Sequence, residues 1–247
     1  MNLDSVKITA MREGGKKLAR VRDALAVYVK VGSTFEEIEA EAQRLIKAEG
    51  AVPSFSTVEG YDWATCLMRN EEMCHGIPQG KKVEDGDVIK IDVGLIWQGY
   101  HLDTTTTVVS GTSSPEKDEF LAVGKRSLEK AIGRATLGNT VYDISAAMQK
   151  VVERHGYSCV YQLCGHGIGK KLHDEPEIPC LAQRRDKKEK LYEGQTVAIE
   201  IMYAVGNAFL ELAPDGWTYK TADNSLAGMF EETVLITKDG PEILTRI

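Results

Sequence analysis

Basic residues are the minority charge in this chain of 247 residues: 30 Lys and Arg stand against 37 Asp and Glu, a formal net charge of −7. A protein whose main partner is nucleic acid needs a basic face, so that role is excluded as the principal one. No apolar run reaches the roughly 18 residues that a membrane span requires. The start, Met1-Asn2-Leu3-Asp4-Ser5, lacks the basic-then-apolar pattern of a secretion signal. Cysteine is sparse and odd in number (Cys66, Cys74, Cys159, Cys164, Cys180), with no C-x-x-C pair. Neither a disulfide framework nor a thiolate zinc site is indicated, and a reduced, cytoplasmic protein is the simplest reading. Histidine is also sparse, at five residues, and two of these, His166 and His173, fall in the one run Cys164–Pro176, the first of them between glycines. Such a run reads either as a solvated turn or as a ligand and proton carrier, because the near-neutral pKa of imidazole suits both.

The length suits one large domain or two small ones with a substantial core. Apolar residues at helical spacing from about Ser5 to Lys30 predict an amphipathic helix. Thr34 caps a second helix, with Glu37 as its capping-box partner, running to about Ala48 and stopping at Gly50. Short apolar or alternating runs then predict strands at Thr65–Arg69, Asp87–Leu95 and His101–Val109, the last two joined as a hairpin through Trp97-Gln98-Gly99-Tyr100. A third helix starts at Ser114-Pro115 and runs to about Arg134, and a fourth spans Val141 to His155. Strands return at Ser158–Leu163, Thr196–Ala204, Trp217–Thr221 and Phe230–Thr237. Gly32-x-Thr34, Ile38 and Gly50 recur at the same spacing as Gly138-x-Thr140, Ile144 and Gly156. The chain thus reads as a single domain, 1–247, of two similar halves, about 1–112 and 113–247, each with two helices and then strands. That order predicts an α+β fold with helices on an antiparallel sheet and a site in the cleft between the halves.

Acidic residues interrupt the apolar strands. Asp92 lies within Ile89–Leu95, Asp103 in its hairpin partner, Glu200 between Val197-Ala198-Ile199 and Ile201-Met202-Tyr203, and Glu231-Glu232 before Thr233-Val234-Leu235-Ile236. Alternation sends only one of the last pair inward, and periodicity leaves open which. Buried carboxylates are costly unless paired or bound to a cation. Carboxylates converging with one imidazole suit two divalent cations and point to a dinuclear hydrolase.

With these residues assembled, the chain resembles the type I methionine aminopeptidases over nearly its whole length. The matching pieces are Asn70–Pro78, Ile91-Asp92-Val93, Gly99–Thr104, Gly165–Gly169, His173–Pro176, Ile199–Met202, Asp215–Thr218 and Phe230–Thr233. The resemblance implies the "pita-bread" fold of two pseudo-symmetric halves and removal of the initiator methionine from nascent polypeptides with a small second residue. It implies that Asp92 chelates one metal, that Asp103 and Glu231 bridge two, and that His166 and Glu200 complete the second. Glu200 would also take a proton from the bridging water. His173 would stabilise the tetrahedral intermediate and His75 would position the peptide. Tyr61, Cys66, Leu172 and Trp217 fall where the family places the methionine pocket. Cobalt, manganese, iron and zinc all fit such ligands. A monomer is implied, and transient ribosome association suits the task. The chain departs from the family's habit at Gly60–Thr65, Leu172, Ile201 and Glu232, none of them an implied metal ligand. A proline-specific aminopeptidase or dipeptidase of the same fold, and a non-catalytic binding protein that kept the fold, are the competing readings.

Overall fold

A two-residue turn organises the centre of the molecule. Gln98 (φ 49°) and Gly99 (φ 77°) both take the left-handed conformation, the geometry that matches the twist of a tight hairpin. The turn joins two ten-residue strands paired from Trp97↔Tyr100 to Val88↔Val109. Residues 3–247 are described by this computed structural model; Met1 and Asn2, the first residues of the expected 1–112 half, lie outside the described residues. In chain order the elements are α1 (Leu3–Tyr28), α2 (Phe35–Ala48), β1 (Val52–Pro53), β2 (Thr65–Arg69), β3 (Glu72–Cys74), β4 (Val88–Trp97), β5 (Tyr100–Val109), α3 (Pro115–Ile132) and α4 (Val141–Arg154). They continue with β6 (Ser158–Cys159), β7 (Cys164–Gly167), β8 (Asp174–Pro179), β9 (Thr196–Ala204), β10 (Leu210–Leu212), β11 (Tyr219–Thr221), β12 (Ala227–Thr237) and β13 (Gly240–Ile243).

The main sheet is antiparallel, in the order β1-β4-β5-β12-β9-β7-β8, with β2 on β4, β6 on β9 and β13 on β12; a small sheet has the order β10-β11-β3. This is the α+β, pita-bread arrangement expected from the chain. Both long central strands, β9 and β12, are buried almost throughout, so both faces of the main sheet are covered. Alternation assigns the cover. Thr104 and Glu232 meet Arg22 of α1, and Tyr203 donates to the Phe120 carbonyl of α3 at 2.6 Å. The helices α1 and α3 therefore lie on the face opposite to Asp103 and Glu231.

The halves carry matched details. Thr34 and Thr140 each form a capping box, with Glu37 and Asp143, and each makes an isolated antiparallel bridge, to Lys82 and Lys190. These pairs support the two-half reading, which we propose on that basis. Some expected strands are shorter than the sequence suggests. The Ser158–Leu163 run is a strand only at Ser158–Cys159, because the chain leaves β9 after Val160, whose N–H still reaches the Met202 carbonyl at 3.0 Å, and bends at the exposed Tyr161. The Trp217–Thr221 run begins at Tyr219, because Asp215 draws in the backbone N–H groups of Trp217 and Thr218 as an Asx turn.

Two buried basic side chains tie the layers. Arg22 of α1 bonds Glu232 at 3.1 Å, the Thr245 carbonyl at 2.9 Å and Thr104 at 3.1 Å, and Glu232 also takes Arg246 and Thr245. Lys90 of β4 is fully buried, and its Nζ donates to the carbonyls of Asn70 at 2.7 Å and Ala227 at 3.2 Å. It links the turn before the small sheet to the start of β12. Replacing Glu232 with Gln leaves the buried Arg22 with Asp23, at 2.9 Å, as its carboxylate partner, and removes the charge from its bond to the sheet. Urea denaturation should show a loss of about 2 kcal/mol, the scale of a hydrogen bond to a charged group; a loss under about 0.5 kcal/mol, the range of ordinary surface changes, would refute the clamp.

Candidate active site

Directly opposed residues on neighbouring antiparallel strands stand side by side, and residues two apart share a face. Cys66 is opposite Asp92, Asp92 opposite Thr105, Thr105 opposite Glu231 and Glu231 opposite Glu200. These five residues form one row across β2, β4, β5, β12 and β9. Two residues along, on the same face, Gly94 is opposite Asp103 and Ala198 is opposite His166. Thr233 closes the gap between them, bonding the Asp103 carbonyl at 2.7 Å and its N–H at 3.1 Å. Small side chains at Gly94 and Ala198 leave the second row to Asp103 and His166. Glu232 is on the other face with Arg22, so Glu231 is the member of the acidic pair that joins the row.

The run around His166 is neither a surface turn nor a loop but strand β7, and close packing explains its glycines. A Cβ on Gly165 would lie 2.5 Å from the Ala198 carbonyl oxygen, and one on Gly167 2.1 Å from that of Glu175. His166 Nδ1 lies 2.9 Å from the Gly167 carbonyl. Donation there places the proton on Nδ1 and leaves the Nε2 lone pair available as a ligand.

The electrostatics are those of an acidic site short of counter-charge. Asp92, Asp103, Glu200 and Glu231 are all buried. Burial pushes the carboxyl of Asp92 up to about 7, against hydrogen bonds that stabilise its charge. Burial and then the neighbouring carboxylates push Asp103, Glu200 and Glu231 well above the usual range. Burial holds His166 down at about 4, with His173 adding to the effect. Thr105 Oγ1 sits 3.0 Å from Asp92 and 2.8 Å from Glu231, and its single proton can serve only one of them. Asp103 Oδ1 is buried without a hydrogen-bond partner. Among the described residues, Asp103, His166 and Glu231 each offer a ligand atom, all within 4.8 Å of one another. Glu200 adjoins Glu231 in the row, and Asp92 lies on its other side beyond Thr105. An orphaned carboxylate oxygen, a neutral imidazole and crowded acids form a donor set that fits divalent cations.

Above the rows is a cavity of about 250 Å³. Every residue expected from the sequence lines it: Tyr61, Cys66, Leu172 and Trp217 on the apolar side, His75 and His173 beside the carboxylates. Tyr61 stacks edge-on to Trp217 with ring centroids 5.1 Å apart, and its hydroxyl is held by the carbonyls of Thr65 and Gly76, so the ring contributes an apolar face. His173 is exposed at the mouth, its ring edge-on to His166 at 4.5 Å. His75 takes a positive φ of 57° and meets Tyr219 edge-on at 5.9 Å. The sequence reading missed Thr105, Cys74, Gln162, Met202 and Met229. Alternation from Asp103 could have flagged Thr105; the others depend on which strands become neighbours.

Residues 9–238 match metallopeptidase family M24. The chain is 37% identical over 237 residues to methionine aminopeptidase 1 of Bacillus subtilis, covering 96% of this chain and 95% of that protein. It superposes on the crystal structure of methionine aminopeptidase from Thermotoga maritima with a TM-score of 0.94 at 34% identity, covering 98% and 97% of the two chains. Prolidase from Pyrococcus furiosus has a TM-score of 0.79 at 22% identity, and the match covers 64% of that chain, a likeness of fold alone.

Cation and protons compete for the same oxygens. Affinity for a divalent cation should therefore rise with pH through about 7, where the Asp92 carboxyl sheds its proton, by up to about tenfold per pH unit for each proton displaced. His166, held at about 4, adds no proton to that exchange near neutrality. Calorimetric titration in buffers of different ionisation enthalpy measures the release, and a pH-independent affinity would contradict it. Asp103→Asn and Glu231→Gln should each weaken binding at least tenfold.

Proposed function

Because the chain belongs to metallopeptidase family M24, among its methionine aminopeptidases, we propose that it removes the initiator methionine from new polypeptides. It is a metal-dependent hydrolase, an exopeptidase. The observation that carries the reading is the pair of rows described above: four buried carboxylates and a neutral imidazole on the floor of a largely apolar cavity.

In this reading two divalent cations, from among cobalt, manganese, iron and zinc, bind the rows, and their chemistry is to acidify a water and polarise the scissile carbonyl. Asp92, Asp103, His166, Glu200 and Glu231 would hold them. Glu200, whose burial raises its proton affinity, takes the proton of the attacking water. His173, at the mouth and held below the ordinary imidazole range by its packing, is neutral at pH 7 and donates an N–H toward the carbonyl oxygen as charge builds there. His75 lies across the cavity and positions the peptide beyond the scissile bond. Tyr61, Cys66, Leu172 and Trp217 receive the methionine side chain, whose thioether packs well against the two aromatic rings. A small second residue is preferred, as among the methionine aminopeptidases that the chain resembles.

Among the described residues no helix is long and apolar enough to cross a membrane. We place the enzyme in the cytoplasm as a monomer acting on nascent chains, in transient association with the ribosome. The proline-specific reading rests on fold likeness alone. The non-catalytic reading is disfavoured because all five carboxylate and imidazole positions are filled.

Metal-loaded protein should release methionine from Met-Ala-Ser and leave Met-Lys-Ser intact. Release from neither peptide, or cleavage of X-Pro dipeptides instead, would overturn the assignment. Glu200→Gln and His173→Ala should each lower kcat by at least about 10²-fold, the usual scale for a lost proton carrier or carbonyl donor.

A further inference from the structure

The small sheet has two unlike faces. On one, Lys220 of β11 is opposite Glu211 of β10 and pairs with it at 3.0 Å; Glu72 meets Lys220 across a register shift in the β3 pairing and is itself paired with Lys81 at 2.6 Å. That face is ionic. On the other, Cys74 is opposite Tyr219 and Tyr219 is opposite Leu212. Cys74 is buried and lines the cavity, Tyr219 is half-buried against His75, and Leu212 is 52% exposed. The apolar row begins inside the cavity and ends in solvent.

A second connection fixes this row at the rim. Gln162 lines the cavity, and its side-chain amide makes two hydrogen bonds to the backbone of Leu210, donating to the carbonyl at 2.7 Å and accepting the N–H at 2.6 Å. Strand β10 is thus clipped to the cavity wall at the residue two before Leu212, on the same face.

We propose that the Cys74–Tyr219–Leu212 row is a binding shelf for the third to fifth residues of the substrate, and that it prefers apolar side chains there. The proposal rests on the aminopeptidase reading. The occupant follows from continuity and length. A peptide with its first side chain among Tyr61, Cys66 and Trp217 and its scissile bond beside His173 leaves past His75, which touches Tyr219. Three adjacent strands span about 10 Å, at roughly 4.8 Å per step. An extended peptide advances about 3.3 Å per residue, so about three residues cover that distance. Neighbouring charges do not serve the row: Lys220 and Glu211 alternate away from it, and Glu72, two residues from Cys74 across a register shift, is paired with Lys81 at 2.6 Å.

The test compares metal-loaded protein on Met-Ala-Ser-Ser-Ser, Met-Ala-Leu-Leu-Ser and Met-Ala-Glu-Glu-Ser. The leucine peptide should exceed the glutamate peptide about tenfold in kcat/KM, the scale for partial burial of one or two leucine side chains. The difference should lie in KM, because contacts remote from the reacting bond bind ground and transition states alike. In Leu212→Ser the ratio should collapse toward one, and in Leu212→Lys it should invert in favour of glutamate. Leu212 is exposed, so both variants should keep the wild-type melting temperature. Equal kcat/KM for the three peptides in the wild type, or an unchanged ratio in both variants, overturns the shelf while leaving methionine release from the serine peptide standing. Failure to cleave any of the three overturns the aminopeptidase reading and the shelf with it.

Discussion

Four carboxylates are buried on one face of an antiparallel sheet among imidazoles, hydroxyls and a thiol. Most of the structure can be understood as what holds them there. Each would be cheaper in water, and each raises the proton affinity of its neighbours. The rows stay formed because register, not attraction, places them. Ladder hydrogen bonds along β4, β5, β12 and β9 fix Asp92, Thr105, Glu231 and Glu200 in line, and the Thr233 hydroxyl, bonded to the backbone of Asp103, holds that residue one step away. The sheet is stabilised by the apolar residues between these positions, so the site draws on fold stability without contributing to it in the absence of a cation.

The opposite face shows how the same chemistry behaves when it is compensated. Glu232 is a neighbour of Glu231 in sequence and equally buried, yet it has Arg22, Arg246 and Thr245 around it. One pleat of the strand separates a carboxylate that ties α1 and the C-terminal segment to the sheet from one that is left to bind something. A negative charge held by fixed cations is structural; a negative charge surrounded by other negative charges is poised for a mobile one. The asymmetry across β12 is the simplest physical statement of where the chemistry takes place.

The cavity over the rows is built by parts that are distant in the chain. Lys90 fastens the turn before β3 to β12, Gln162 fastens β10 to the cavity wall, and close contacts at Gly165 and Gly167 bring β7 against β9 and β8. Through these ties His75, His166 and His173 are set around one space. The small sheet then gives the cavity a rim with an apolar inner side and an ionic outer side, an alternation that is a direct consequence of strand geometry.

Local chemistry alone determined much of this protein. Helix periodicity with the Thr34 and Pro115 starts, the Gln98-Gly99 turn, and charges interrupting the apolar runs around Asp92, Asp103 and Glu200 were all legible, because each depends on residues within a few positions of one another. The recurrence of Gly-x-Thr, followed at the same spacing by Ile38 and Gly50 and by Ile144 and Gly156, was legible as well. Tertiary structure decided the rest. Which of Glu231 and Glu232 faces the site depends on the pleat of β12 against β5 and β9. Whether His166 sits in a turn or a strand depends on β9 arriving beside it, and the roles of Thr105, Gln162 and Leu212 depend on partners 48 to 126 residues away or on strands paired only in the fold. Periodicity specifies that a side chain alternates; only the neighbouring strand specifies what it alternates toward.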